Sequence, residues 1–215
     1  MGGRGAASGK TLSTATRYHD FDHTHESQAA FKQSGEDWWN SLTEKDKEFF
    51  KSYTSSGYKS FNAAVRAANG DPSKMTTYGK RLQMAIDKLG QGELPKATVF
   101  HRQSTSSLLG IGSGASYEQI KAQVGKVVTD YSITSARSSK YHNNGSGMFG
   151  NVNYHISTPA GKGVGAYVAN HSSCGSGEDE FLFRPGSAYR VDRVWQDSYG
   201  NPHIAMTYMG NIHEK

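Results

Sequence analysis

The chain has 215 residues, of which 24 are Lys or Arg and 19 are Asp or Glu, giving a formal net charge of +5. This length fits one domain, and a hydrophobic fraction of 35% with 25 glycines indicates a polar globular protein with many turns. A single cysteine, Cys174, excludes an internal disulfide and a thiolate metal cluster.

Membrane insertion and nucleic-acid binding are not favoured by the composition. No apolar run approaches the roughly 20 residues of a membrane span, and the N-terminus lacks the apolar stretch of a secretory signal. We therefore expect a protein made in soluble form that is exported, if at all, by another route. The excess of positive charge suits an anionic ligand, but Lys and Arg are spread along the whole chain rather than clustered into a basic patch.

The N-terminal residues are predicted to form a flexible arm. Residues 1–17 are mostly Gly, Ala, Ser and Thr, which are too small and polar to pack, so we expect them to be flexible. Residues 18–215 are expected to form one domain. The run Asp20–Glu26 brings two histidines close to carboxylates, but without a third spaced ligand it indicates exposed polar chain rather than a metal site.

Helices are predicted within residues 18–95, with the helical pattern running from Gly35 to Gly90. Thr43 and Asp46 have the approximate spacing of a capping box. Apolar residues then recur every three or four positions, which is more typical of a packed core than of a ligand site. Three stripes are present: Phe49, Phe50 and Tyr53; Tyr58, Phe61, Val65 and Ala68; Met75, Tyr78, Leu82, Ile86 and Leu89.

Short β-rich runs replace this pattern over residues 96–215. The predicted strands are 97–102, 127–135, 152–157, 165–168, 177–186, 189–195 and 203–208, the last two forming a hairpin. A Ser- and Gly-rich loop is expected over 103–114, a short helix capped by Ser116 and Gln119 after it, and polar loops over 136–150 and 170–177. Helices in front of a strand-rich body predict an α+β fold.

Two glutamates stand two residues apart in the acidic strand. A strand carries residues i and i+2 on one face, roughly 6 to 7 Å apart, so Glu178 and Glu180 are expected to share one wall of a cleft while Asp179 points away. Like charges that close raise the pKa of one member, which is typical of sites that need an acid, a base or a stabiliser of positive charge. The alternative is an edge strand whose charged residues prevent it from pairing with another chain.

Polar residues occur on three of the predicted strands in order: Arg102 closes one, Thr134 and Ser135 close another, and Glu178-x-Glu180 lies on a third. In this combination the chain resembles the mono-ADP-ribosyltransferase exoenzymes of the arginine, Ser-Thr-Ser, Glu-x-Glu class, which include enzymatic components of binary toxins and phage-encoded enzymes. The resemblance covers about residues 35 to 208. It is most specific over 154–187, where a strand, a Pro-x-Gly turn, Gly-Ala-Tyr and the acidic strand follow one another.

The resemblance implies a strand-rich β-sandwich core with an NAD cleft, NAD as co-substrate, and no metal. It implies that Arg102 grips the diphosphate, since a guanidinium binds phosphate oxygens in a bidentate fork, and that Glu180 stabilises the positive charge on the ribose. Glu178 would orient the acceptor and take its proton, and a glutamate at this place goes with arginine targets. Further contacts are implied as follows: His101, Gln103, Tyr131, Thr134 and Ser135 with NAD, and His171 with the target protein.

One position departs from the family's pattern. The middle motif is an aromatic residue, any residue, then Ser-Thr-Ser, whereas here Ile133 takes the place of the first serine. In the family that hydroxyl supports the catalytic glutamate. Either Ser132 substitutes for it through a local shift, or another group holds Glu180. Without any direct role, Arg102 would make a structural ion pair, Tyr131 would only pack, and the hydroxyls would bond the backbone.

The leading hypothesis is an arginine-specific mono-ADP-ribosyltransferase that acts on a protein in the cytoplasm of a target cell. The alternatives are an NAD glycohydrolase, in which water replaces the acceptor, and a non-catalytic NAD-binding or phage-associated module. A nucleic-acid target is the outlier. A delivery component or an immunity protein is a possible partner, and a phage-encoded enzyme would instead act in the cytoplasm of the cell that makes it.

Overall fold

The computed structural model describes residues 25–138, 150, 152–173 and 179–214, with side chains from residue 28 onward. Four of the five helices precede the first strand, so the predicted α+β class is confirmed. The helices are His25–Asn40 (α1), Glu44–Ser52 (α2), Tyr58–Ala67 (α3), Gly79–Leu89 (α4) and Tyr117–Lys121 (α5). Within the described ranges, no helix is both long and apolar enough to cross a membrane.

The start of the first helix was predicted wrongly, because α1 already runs at His25 rather than beginning near Gly35. Phe31 is 1% exposed and packs edge-on against Tyr167, with 6.0 Å between ring centroids. This one aromatic residue ahead of Trp38 is too sparse a signal to reveal a helix. At Gly35 a Cβ atom would lie 2.5 Å from the carbonyl oxygen of Tyr167, so glycine permits the close approach of α1 to the sheet.

The second helix begins as predicted. The hydroxyl of Thr43 accepts a hydrogen bond from the backbone N–H of Asp46 at 3.3 Å, and the carboxylate of Asp46 accepts one from the N–H of Thr43 at 3.2 Å. These bonds satisfy two N–H groups that a helix start leaves without intrahelical partners. A π-helical turn, Tyr53–Gly57, then joins α2 directly to α3.

The strands form one large sheet and one small pair. They are Glu93–Leu94 (β1), Thr98–Ser104 (β2), Val127–Asp130 (β3), Thr134–Arg137 (β4), Val152–Thr158 (β5), Gly161–Lys162 (β6), Gly165–Tyr167 (β7), Glu180–Phe183 (β8), Ser187–Gln196 (β9) and Pro202–Asn211 (β10). Eight strands follow the order β3-β9-β10-β5-β2-β4-β8-β7, in which β5 and β10 run parallel, and β1 pairs with β6 separately. The predicted hairpin is confirmed as β9 and β10.

Of the neighbouring strands in the large sheet, β2 and β4 have the fewest paired residues. Only His101 and Arg137 are paired between β2 and β4, whereas β2 and β5 pair over seven positions. Beyond His101 the next residue of β2 is Arg102, so this arginine lies where the two halves of the sheet part. The row of paired residues that contains His101 and Arg137 continues to the next strand, because Arg137 also pairs with Glu180 of β8.

The predicted strand 127–135 is in fact two strands. β3 pairs with β9 at the edge of the sheet, while β4 lies between β2 and β8 at its centre. The break comes after Asp130, whose carboxylate accepts hydrogen bonds from the N–H and the hydroxyl of Ser132 at 3.0 and 2.7 Å. Such a local bond turns the chain away from the strand direction, and β-propensity alone does not reveal it.

The acidic strand starts later than predicted. β8 begins at Glu180, and Asp179 before it has a φ of 45°, in the left-handed region. The alternation argued for Glu178 and Glu180 therefore does not apply, since the intervening residue is not extended. From Glu180 onward alternation holds: Phe181 and Phe183 belong to one hydrophobic core, and Leu182 packs into the other, which the helical segment covers.

Candidate active site

Glu180 is a buried carboxylate held by a hydroxyl from the neighbouring strand. It is the first residue of β8 and is 7% exposed. Its Oε1 accepts a hydrogen bond from the hydroxyl of Ser135 on β4 at 2.7 Å. A carboxylate that loses most of its water in this way has strong electrostatic interactions with any charge brought beside it.

Arg102 meets the same residue from the other half of the sheet. Its Nη1 donates to the backbone carbonyl oxygen of Ser135. Ser135 therefore joins the arginine and the glutamate, its carbonyl facing one and its hydroxyl the other. Within the described residues the buried Nε of Arg102 has no hydrogen-bond partner. A buried N–H without an acceptor suits an anionic ligand, and the guanidinium thus fits the diphosphate expected from the sequence.

The middle motif resolves the question raised by Ile133. Ser132 does not reach Glu180, because its hydroxyl is bonded to Asp130. Thr134, 1% exposed, likewise donates its hydroxyl to Asp130. The group that holds Glu180 is the last serine of the motif, Ser135, which corresponds to the second of the two alternatives. Its predicted contact with NAD stays a prediction, as does that of Thr134.

Two residues of the helical segment contact the same motif, and their contacts with it were not predicted from the sequence. The hydroxyl of Tyr53 donates to the carbonyl oxygen of Ile133 at 3.1 Å, and the side-chain amide of Asn62 donates to that oxygen at 3.2 Å and to the Tyr53 hydroxyl at 3.0 Å. Burial raises the pKa of Tyr53, so the phenol stays protonated and remains a donor.

Two further residues expected at NAD lie beside this cluster. Tyr131 is half-buried and packs with the core beneath the helical segment, where a Cβ on Gly70 would lie 2.9 Å from its ring. Gln103 follows Arg102 on β2 and pairs with Asn153 of β5. Their contacts with NAD remain predictions.

His101 begins a chain of three imidazole rings. Its Nδ1 lies 2.9 Å from Nδ1 of His155, whose Nε2 lies 2.9 Å from Nδ1 of His203, and Nε2 of His203 is 3.4 Å from a carboxylate oxygen of Asp197. Hydrogen bonds led by that from Asn201 lower the pKa of Asp197 to about 2. Because an ionised carboxylate only accepts, Nε2 of His203 is the donor in its contact with Asp197. The predicted contact of His101 with NAD stays a prediction.

The residues expected to meet the target are only partly described. His171 lies flat on the ring of Trp39, with 4.2 Å between centroids and 3° between planes, and its Nε2 is 3.1 Å from a carboxylate oxygen of Glu36. One face of the ring is therefore covered by α1, and the predicted target contact remains a prediction. Glu178 and Cys174 lie outside the described residues.

A metal site is absent from the part of the chain that the structure covers, where no three His, Cys, Asp or Glu side chains are placed to share an ion. The metal alternative considered for Asp20–Glu26 falls mainly outside the described residues. The predicted arm over residues 1–17 does so entirely.

Comparisons with known proteins agree with the fold described above. A model of the ADP-ribosyltransferase exoenzyme family matches residues 29–208. No curated protein sequence matches. Among solved structures, Plx2a, an ADP-ribosyltransferase toxin from Paenibacillus larvae, has a TM-score of 0.70 at 15% identity, covering 85% of this chain and 94% of its own.

Two other structures extend the fold comparison. The C3 exoenzyme of Clostridium limosum has a TM-score of 0.70 at 17% identity, covering 86% of this chain and 93% of its own. The enzymatic component C2-I of the Clostridium botulinum C2-toxin has a TM-score of 0.68 at 15% identity, and 87% of this chain corresponds to 48% of that one. With the family match over most of its length, the chain belongs to the ADP-ribosyltransferase exoenzyme family, in which NAD is the substrate.

Proposed function

We propose that this protein is an NAD-dependent mono-ADP-ribosyltransferase that transfers ADP-ribose to an arginine side chain of a target protein and releases nicotinamide. The observation that carries the proposal is the convergence of Arg102 and Glu180 on Ser135. It brings a phosphate-binding cation and a buried carboxylate to one place: the first suits the diphosphate of NAD, and the second suits the positive charge that develops on the ribose.

Arg102 binds the diphosphate of NAD in this proposal. Its Nη1 is occupied by the Ser135 carbonyl, which fixes the plane of the guanidinium, while the buried Nε has no hydrogen-bond partner among the described residues. A planar guanidinium with fixed orientation binds phosphate with a geometry that lysine cannot reproduce. The arginine therefore acts mainly on the affinity for NAD.

Glu180 stabilises the positive charge that develops on the ribose carbon as its bond to nicotinamide breaks. The carboxylate is almost completely buried, and Ser135 fixes its position before substrate arrives. A charge that is already oriented in a dry site requires no reorganisation during the reaction, which is why such groups contribute strongly to catalysis.

Arginine as the acceptor rests on Glu178. A free arginine stays protonated at ordinary pH, so transfer needs a nearby carboxylate that orients the guanidinium and takes a proton as the new bond forms. Glu178 precedes Asp179, whose backbone carbonyl accepts from the N–H of Ser138 at 3.2 Å and whose side chain accepts from the Tyr167 hydroxyl at 3.1 Å. These bonds anchor the chain immediately after Glu178, next to the predicted catalytic residue.

The proposal is tested by incubating the protein with NAD labelled in its ADP-ribose part and with bacterial and eukaryotic lysates. We expect labelled protein and, by mass spectrometry, ADP-ribose on arginine. Glu180→Gln should lower both nicotinamide release and labelling by roughly 100-fold or more. Glu178→Gln should abolish labelling while nicotinamide release continues. Glu93→Gln, on the exposed side chain of a β1 residue, is the matched control and should change neither rate.

Each other result points elsewhere. Nicotinamide release without any labelled protein supports the glycohydrolase, and neither reaction supports the non-catalytic module. Full activity of Glu180→Gln contradicts the proposed centre. Label on a residue other than arginine, or full transfer by Glu178→Gln, contradicts the proposed acceptor.

We further propose that the enzyme reaches the cytoplasm of a target cell with the help of a separate delivery component.

A further inference from the structure

Asp130 is a buried carboxylate that the predicted site does not use. It is the last residue of β3 and is 4% exposed. Its Oδ1 accepts from the N–H and hydroxyl of Ser132, and its Oδ2 accepts from the hydroxyl of Thr134. The Nε of Arg66, on α3, lies 3.5 Å from Oδ1. A buried charge with this many partners is costly to form unless all of them are in place.

These partners belong to the segment that leads into the site. Residues 131–133 connect the edge strand β3 to the central strand β4. Ser132 and Thr134 are bonded to Asp130, and the carbonyl of Ile133 is held by Tyr53 and Asn62. The next residue is Ser135, which contacts Arg102 and Glu180.

The charge of Asp130 also acts on the same place as the charges of the site. Burial is the main cause of the raised pKa of Tyr53, and the charges of Arg102, Glu180 and Asp130 also act on it. The pKa of Tyr154 is likewise raised by burial and affected by the charges of Arg102 and Asp130. Asp130 therefore lies in the electrostatic surroundings of Arg102 as well as being bonded to the residue before Ser135.

We propose that Asp130 is a positioning residue for ADP-ribosyl transfer, an inference that rests on the proposed function. Its carboxylate fixes Ser132 and Thr134, and so sets where Ser135 presents its hydroxyl to Glu180. In this chain Ile133 stands where the middle motif would have its first serine, and the hydroxyl of Ser135 contacts Glu180. Asp130 acts through Ser135 and touches no reacting atom.

The test compares Asp130→Asn with a matched substitution elsewhere. The amide keeps the size of the side chain but cannot accept from Ser132 and Thr134 with both of its atoms. Because a displacement of about 1 Å at a catalytic group costs on the order of 100-fold in rate, we expect kcat for nicotinamide release to fall about 10- to 100-fold. The KM for NAD should change less, by about threefold at most, because the bond from Arg102 goes to a backbone carbonyl of Ser135, and Ser135 lies on a strand paired with β8.

Asp192 supplies the control. Its carboxylate also has an arginine and a threonine as partners, with Arg190 Nε at 2.6 Å and the Thr207 hydroxyl at 2.5 Å, but it lies on β9, outside the candidate site. Asp192→Asn should leave kcat and KM unchanged. Ser132→Ala is the second variant, removes one bond to Asp130, and should lower kcat severalfold. In the double variant the losses should combine less than multiplicatively, because both act through one network.

The outcomes separate this inference from the proposed function. Wild-type protein that neither releases nicotinamide nor labels a target overturns both. Active wild type with Asp130→Asn and Ser132→Ala at full kcat per folded molecule, whatever their melting temperatures, overturns the positioning role alone. Where Asp130→Asn does not fold, Ser132→Ala decides: a lowered kcat with unchanged KM supports the role, and an unchanged kcat contradicts it.

Discussion

Ser135 is the residue on which the candidate site depends, and it does two separable things. Its backbone carbonyl meets Arg102 whatever the side chain is, while its hydroxyl alone meets Glu180. The sequence placed Ser135 in the site but assigned it to NAD rather than to the glutamate. Spacing along a strand could not settle this, because the turn at Asp130 decides how the motif enters β4.

Replacing the hydroxyl tests this division. In Ser135→Ala, Glu180 loses a neutral donor in a buried site, where one such hydrogen bond contributes about 1 kcal/mol to stability and more to a preorganised charge. We expect kcat to fall by roughly 10-fold or more with the KM for NAD little changed, and Ser135→Thr to recover most of the loss. Steady-state kinetics of nicotinamide release measures both constants. A large rise in KM with unchanged kcat would contradict the assignment of the hydroxyl to Glu180.

At the scale of elements, the helical segment is a structural part of the site rather than a separate cover. The α2–π–α3 run carries Tyr53 and Asn62, which hold the carbonyl of Ile133 between β3 and β4. Aromatic spacing predicted that Tyr53 packs, and it does, at 4% exposure. Periodicity could not show that its hydroxyl reaches the connection between two strands, 80 residues away in the sequence.

Tyr53→Phe tests this contact. The ring keeps its packing, but the carbonyl of Ile133 loses one donor and Asn62 loses an acceptor, so we expect the free energy of unfolding to fall by about 1 kcal/mol or slightly more. Denaturant titration measures this change. Tyr58→Phe, at a ring that is 36% exposed, is the control and should be neutral. Equal stability of the two variants would show that the buried hydroxyl does not support the motif.

At the scale of the whole molecule, the order of helices and strands was predictable while their ends were not. Apolar stripes such as Phe61 and Val65 predicted helices correctly, and the acidic stretch predicted a strand, although burial of both faces, by Phe181 and Phe183 on one side and Leu182 on the other, was not predicted. The break at Asp130 and the left-handed residue Asp179 depend on single side-chain bonds or backbone angles, which leave no periodic trace.

The arrangement of the site was predictable only from the resemblance of its motifs. Arg102, Ser135 and Glu180 are distant in sequence, and three strands that are not consecutive in the chain bring them together, β2 beside β4 and β4 beside β8. Local propensity contains no information about that order. The networks around Asp130 and His155 were likewise beyond it, since each joins residues of several elements.

The most direct measurement of the central claim is a crystal structure of the protein in complex with NAD, using Glu180→Gln if the wild type consumes the substrate. The account predicts the diphosphate within hydrogen-bonding distance of the Arg102 guanidinium and the nicotinamide ribose beside residue 180 and Ser135. A dinucleotide bound away from Arg102, or one with its ribose on the far side of the sheet from residue 180, would contradict it.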